Sequence, residues 1–288
     1  MTDSSSATHI RSAAASAPDK GPRRAPRIPL AKRLGRILIA IWLPALLLLA
    51  WGVASAGSTN SFFPPLTEIL DTLRVDFLSS AFSTNLLPSL IDLVLGFLLG
   101  LVIALAVGYA VGLTKTARGM LMPILDVFRS TPVVALIPVF IALFGIGWTS
   151  TVPLIAWTAF WPIVIGTIAG VSSVDTGFRD TATALRMNWF QKVWMVRLPA
   201  AAPHIFAGVN VAVAISVSAM VAIGLFSATP GLGRYLVLSK IGSNMSDAYA
   251  GAIAAGLVGF GAALLFYVLE RRVFMRWHFK RGEVNGDN

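Results

Sequence analysis

Residues 93–113 read LVLGFLLGLVIALAVGYAVGL, a run without a single charged side chain. At about 1.5 Å per residue, a helix of this length crosses the roughly 30 Å hydrocarbon core of a bilayer. Five further apolar stretches are long enough for the same role, at about 37–56, 121–145, 152–171, 205–226 and 249–269. The pattern predicts an all-α membrane protein with six transmembrane helices. Glycines at 96, 100, 108 and 112 put two small-xxx-small pairs on one face of the 93–113 helix, which favours close helix packing.

Composition agrees with lipid as the solvent. Of the 288 residues 56% are hydrophobic and only 12% charged, about half the charged share of soluble domains. The formal charge of +10 does not indicate nucleic acid, because Lys and Arg flank the apolar runs instead of collecting on one soluble face. There is no cysteine, and the three histidines (His9, His204, His278) are scattered. No metal centre, disulfide or cofactor is expected.

Residues 1–33 are rich in Ser, Ala, Pro, Arg and Lys without apolar period, the composition of a disordered basic tail. The six-helix domain is expected over 34–282, followed by a short C-terminal tail at 283–288. With six spans both termini share one side. That side collects nineteen of the 23 Lys and Arg residues, eight of them between Arg11 and Arg36. Loops rich in these residues stay cytoplasmic, so both termini are predicted to face the cytoplasm, in a multi-pass plasma-membrane protein. On the other side, Leu66, Ile69, Leu70, Leu73 and Phe77 recur at helical spacing between Glu68, Asp71, Arg74 and Asp76. That pattern fits an amphipathic helix, lying on the outer membrane face or packed on the protein.

A long cytoplasmic connection, about 172–204, contains Asp180-Thr-Ala-Thr-Ala-Leu-Arg-Met-Asn-Trp-Phe-Gln-Lys-Val-Trp-Met-Val-Arg-Leu-Pro199. Ala182, Leu185, Trp189 and Val193 recur at helical spacing, with Arg186, Lys192 and Arg197 left for water. An exposed amphipathic helix is predicted, stopped by Pro199 and Pro203.

This segment resembles the cytoplasmic signature of the permease subunits of ABC importers for nitrate, aliphatic sulfonates and taurine. That signature is Glu-Ala-Ala, three residues, Gly, and a later Leu-Pro. Anchored on Leu198-Pro199, it sets Asp180-Thr181-Ala182 on Glu-Ala-Ala and Arg186 on the glycine. The resemblance covers about 62–278. It includes Phe63-Pro-Pro65, Arg129-Ser-Thr-Pro132, Ala135-Leu-Ile-Pro138, Phe144-Gly-Ile-Gly147 and Gly231-Leu-Gly233. Trp148, Gly166 and Ile223 depart from its usual Glu, Asn and acidic residue.

The resemblance implies the type I ABC importer permease fold. It also implies a permease homodimer, separate ABC ATPase subunits and an extracytoplasmic solute-binding protein. The ATPase-coupling residues are then Asp180, Thr181, Ala182, Leu185, Arg186, Met187, Leu198 and Pro199. The implied cargo is an aliphatic sulfonate, taurine or nitrate-like anion, with a thiamine-precursor-like or other small organic solute as the alternative. No Gly-x-x-x-x-Gly-Lys-[Ser/Thr] loop is present to hold nucleotide phosphates, so the chain is expected to be a transport subunit and not an enzyme.

Three polar residues inside the apolar stretches are candidates for the translocation pathway. Arg129 stands three residues after Asp126, in pairing distance on one helix face, and a charge in mid-membrane is costly unless paired, snorkelled or functional. Asn210 and Ser218, eight residues apart, share a face, with Ser216 near it. An ion-coupled secondary transporter would show inverted repeats and buried ionisable groups at the midplane, and a membrane enzyme a cluster of His, Asp, Glu or Ser. Neither pattern is found.

Overall fold

The computed structural model describes residues 30–77, 82–174, 177, 182–227 and 229–278. Among them every regular element is helical, as lipid-embedded backbone requires. The first helix, α1 (Leu30–Ser55), carries Pro44 and belongs, up to Val53, to a unit of its own. It begins at Leu30, ahead of the expected start near 37. The basic tail at 1–29 and the end of the chain at 279–288 lie outside the described residues. The second unit holds α2 (Leu66–Phe77), α3 (Leu87–Gly112, led in by a π turn from Phe82), α4 (Lys115–Arg129), α5 (Val133–Phe144), α6 (Trp148–Ser172), α7 (Trp189–Phe226), α8 (Leu232–Ile241) and α9 (Met245–His278).

Four of these helices, those through Ser83–Gly112, Trp148–Ser172, Trp189–Phe226 and Met245–Arg272, are each long and apolar enough to cross a membrane. The 121–145 stretch is not one straight span. It consists of α4 and α5, bent by 91° across Ser130-Thr131-Pro132. The residue before a proline is disfavoured in the helical region, and Pro132 itself is extended, at φ −64° and ψ 126°. As one bent span the pair is the fifth, and α1, at roughly 39 Å, supplies the length for a sixth.

The core of the second unit is α6, buried on nearly all sides between α3 and α7, with Leu154, Ile155, Ala159, Ile163, Val164 and Ile168 all at 0–1% exposure. A helix apolar all round belongs inside. Its interior hydroxyls are satisfied within the helix, Thr158 donating to the Leu154 carbonyl at 2.9 Å and Thr167 to that of Ile163 at 2.7 Å. The predicted glycine face of α3 is what meets α6. A Cβ on Gly96 would stand 2.6 Å from the Ile155 Cβ, and one on Gly100 2.6 Å from the Ala156 carbonyl oxygen.

The opposite face of α6 interlocks with α7 through backbone. A Cβ on Gly166 would meet the His204 carbonyl oxygen at 2.7 Å, and one on Gly208 the Pro162 carbonyl oxygen at 2.5 Å. No side chain fits at either glycine of this seam.

At one end of the bundle, polar ties fix the short elements. Ser89 Oγ accepts from the Leu232 N–H at 2.8 Å, Tyr235 Oη donates to Asp76 Oδ2 at 2.7 Å, and Ser246 Oγ to Glu68 Oε1 at 2.6 Å. Burial and the Asp76 hydrogen bond raise the Tyr235 pKa above the ordinary tyrosine value, so it stays a donor. Helix α2 packs on the protein against α9, with Ile69 fully buried.

Candidate functional site

The other end of the bundle carries the 182–197 segment. Asp180 and Thr181 lie outside the described residues. Ala182 to Ala184 are helical, and the helix then closes with a reversal: Met187 N–H donates to the Ala182 carbonyl at 3.1 Å, and Arg186 N–H to that of Thr183 at 3.0 Å. These two bonds, spanning five and three residues, form a Schellman motif, whose penultimate residue must be left-handed. That residue is Arg186, at φ 48°. Glycine takes this conformation freely, whereas other L-residues pay about 1–2 kcal/mol. The turn therefore accounts for the glycine that the resembling signature has at this position.

Arg186→Gly is accordingly expected to raise stability by about 1 kcal/mol. The check is the thermal unfolding midpoint of the purified chain against wild type and Arg186→Ala, which keeps the strain. A midpoint no higher than that of Arg186→Ala would contradict the left-handed assignment.

After the turn, Asn188 caps the next helix. Its side chain accepts from the Gln191 N–H, and its own N–H donates to Gln191 Oε1 at 2.9 Å, a capping box. Lys192 Nζ donates to Thr183 Oγ1 at 3.3 Å and ties the two arms. The expected single amphipathic helix is thus a helix–turn–helix. Ala182 and Val193 are buried as predicted, but Leu185 and Trp189 are 65% and 68% exposed, because the left-handed residue between them resets the helical phase. Leu185, Arg186 and Met187 form the tip of the bend.

Pro199 and Pro203 do not stop the helix, contrary to expectation. Lys192–Arg197 is a π turn, and its wider i→i+5 ladder delivers the chain to Leu198-Pro199 at the start of a regular α-helical stretch, where proline's missing donor costs least. Helix α7 consequently runs unbroken from Trp189 to Phe226. Within the π turn Arg197 Nη1 donates to Tyr109 Oη at 3.3 Å, joining the segment to the end of α3.

The pathway candidates fall in two places. Arg129 is not at mid-helix; the bend places it in the last turn of α4, where a cation suits the helix dipole. It pairs with Asp126 at 3.1 Å, both side chains about half exposed. Its neighbour Phe128 stacks on Trp161 of α6, with ring centroids 6.0 Å apart and planes 8° from parallel. Asn210 and Ser218 are both exposed on α7, together with the small residues Ala207 and Ala214. Ser218 Oγ donates to the Ala214 carbonyl at 3.2 Å. Ser216 is fully buried and does not join this face; two residues along a helix turn the side chain about 200°. Trp148 is exposed and follows two positive-φ glycines, Gly145 (φ 80°) and Gly147 (φ 142°), a turn marked in the sequence by the Gly-Ile-Gly spacing.

The profile of the family described as "Binding-protein-dependent transport system inner membrane component" matches residues 96–277, from the glycine face of α3 to the last turns of α9. The chain belongs to this family. Among its relatives, the taurine transport system permease protein TauC of Escherichia coli (strain K12) is 32% identical, over 90% of this chain and 94% of TauC. A permease protein assigned to aliphatic sulfonate transport, SsuC of Bacillus subtilis (strain 168), is 31% identical over 92% and 96%. The inward-facing MetNI methionine ABC transporter shares the fold, with a TM-score of 0.58 at 20% identity over 67% of this chain and 96% of that one. The permease fold and family expected from the sequence are thereby established.

Proposed function

We propose that this permease is the membrane subunit of an ATP-driven importer that moves a small anion, such as an aliphatic sulfonate, taurine or nitrate, by alternating access. A homodimer provides the path, an extracytoplasmic binding protein delivers the solute, and a separate ATPase docks on the 182–197 segment. The observation that carries this reading is the bend of Leu185, Arg186 and Met187, with Leu185 and Arg186 exposed and Met187 half-buried, held by the Schellman bonds and the Lys192–Thr183 tie. A preformed protruding turn is suited to enter a groove on a partner, since little ordering entropy remains to be lost. Motion of the turn passes into the spans through the Arg197–Tyr109 bond and the unbroken α7.

Arg129 and the Asn210–Ser218 face are assigned to the solute path. Exposed polar side chains on membrane helices are costly against lipid and suit a water-filled route, and a guanidinium attracts an oxyanion. Both termini lie on the ATPase side in this arrangement.

The chain has no native cysteine, so a single Met187→Cys gives an unambiguous probe. Paired with cysteines on its cognate ATPase, it is expected to form a disulfide in at least one nucleotide state. No disulfide in any nucleotide state would sink the docking assignment.

A further inference from the structure

An apolar cleft of about 670 Å³ opens between α2, α3 and α9, and a second of about 240 Å³ continues from it, the two sharing Leu93, Val94, Ala262 and Leu265. Along α3 this groove extends from Leu86 to Leu98, roughly 18 Å at the helical rise. That is close to the depth of one leaflet of hydrocarbon, about 15 Å. Its rim side chains Val94, Leu257 and Leu265 are 52–63% exposed, so it opens sideways from the bundle. Among the described residues one charged side chain lines it: Arg74, at the end remote from the 182–197 segment.

Arg74 is exposed and makes no ion pair among the described residues. Glu68, Asp71 and Asp76 line a different, polar cleft on the other side of the helix, and Glu68 and Asp76 are already engaged by Ser246 and Tyr235.

We propose that this groove is a binding site for a single phospholipid with an anionic headgroup, its acyl chain in the groove and its phosphate on Arg74. The charge selects the occupant. A guanidinium at the headgroup end of a leaflet-deep apolar slot complements a phosphodiester, while the slot supplies apolar area to one acyl chain. The site is independent of the solute path and of ATPase docking.

The test uses the full-length chain in detergent and native mass spectrometry, with palmitoyl-oleoyl phosphatidylglycerol and phosphatidylcholine as probes. Wild type is expected to retain one phosphatidylglycerol and to bind it about tenfold more tightly than phosphatidylcholine, whose own trimethylammonium competes with Arg74 for the phosphate and cancels its net charge. Arg74→Gln is expected to remove that preference. Gly261→Leu, which projects into the groove where a Cβ meets nothing within 4 Å, is expected to lose retention of both lipids at an unchanged thermal midpoint. Equal binding of the two lipids by wild type, an unchanged preference in Arg74→Gln, or undiminished retention in Gly261→Leu overturns the proposal. Retention of neither lipid by wild type also overturns it, and is the result expected if a helix of a second copy covers the groove.

Discussion

Gly208→Leu is expected to leave almost no folded chain in the membrane. Any Cβ at this position would stand 2.5 Å from the Pro162 carbonyl oxygen and 3.4 Å from the Gly166 Cα. These neighbours are backbone, so no rotamer change can make room. Helices α6 and α7 would have to separate along the seam that buries Ile163, Val164, Ala201 and Ala212. Overpacking a core that can adjust costs about 1–3 kcal/mol, and a rigid backbone clash exceeds that range, a large fraction of the roughly 5–15 kcal/mol that holds a fold together. Fluorescence-detected size exclusion of a tagged chain measures the effect. Gly256→Leu is the control, because a Cβ there meets nothing within 4 Å, and it should accumulate normally. Normal accumulation of Gly208→Leu would refute the α6–α7 packing.

Leu185→Asp is expected to abolish solute uptake while leaving the fold intact. Leu185 is 65% exposed, so the substitution breaks no core contact, and surface changes of this kind usually shift stability by less than about 0.5 kcal/mol. In a partner's groove the same change buries a carboxylate next to apolar surface. Loss of an anchoring side chain at an interface costs about 2 kcal/mol or more, roughly thirtyfold in affinity. Copurification of the ATPase should fall by that order and uptake should fail with it. Unchanged uptake with normal membrane levels would remove Leu185 from the coupling surface.

The helices and the tight face of α3 were legible because each is written in a local property: apolar length for a span, glycine at four-residue spacing for a close approach. The bend between α4 and α5 was not. Hydropathy is a scalar along the chain and carries no direction, so 121–145 reads as one span even though Pro132 stands inside it. For the same reason Arg129 looked like a mid-membrane charge when it ends a helix.

In the 182–197 segment the apolar spacing of Ala182, Leu185, Trp189 and Val193 implied a phase that one left-handed residue cancels. The signal for that residue was present, in the glycine of the resembling signature, but an arginine at the position hides it. Proline's effect at Pro199 is not legible locally, because it depends on the turn that precedes it, and π turns have no sequence mark as plain as a cap.

The glycine contacts between α6 and α7 have a mechanical consequence. With backbone set directly against backbone, the two helices cannot slide without collision, so they shift together or not at all. Helix α7 has 38 residues, about 57 Å from end to end. As a stiff lever of that length, a tilt of about 5° started beside the Asn188 cap moves the Phe226 end by about 5 Å. A small displacement at one membrane face is thereby magnified at the other, with no rearrangement inside the core.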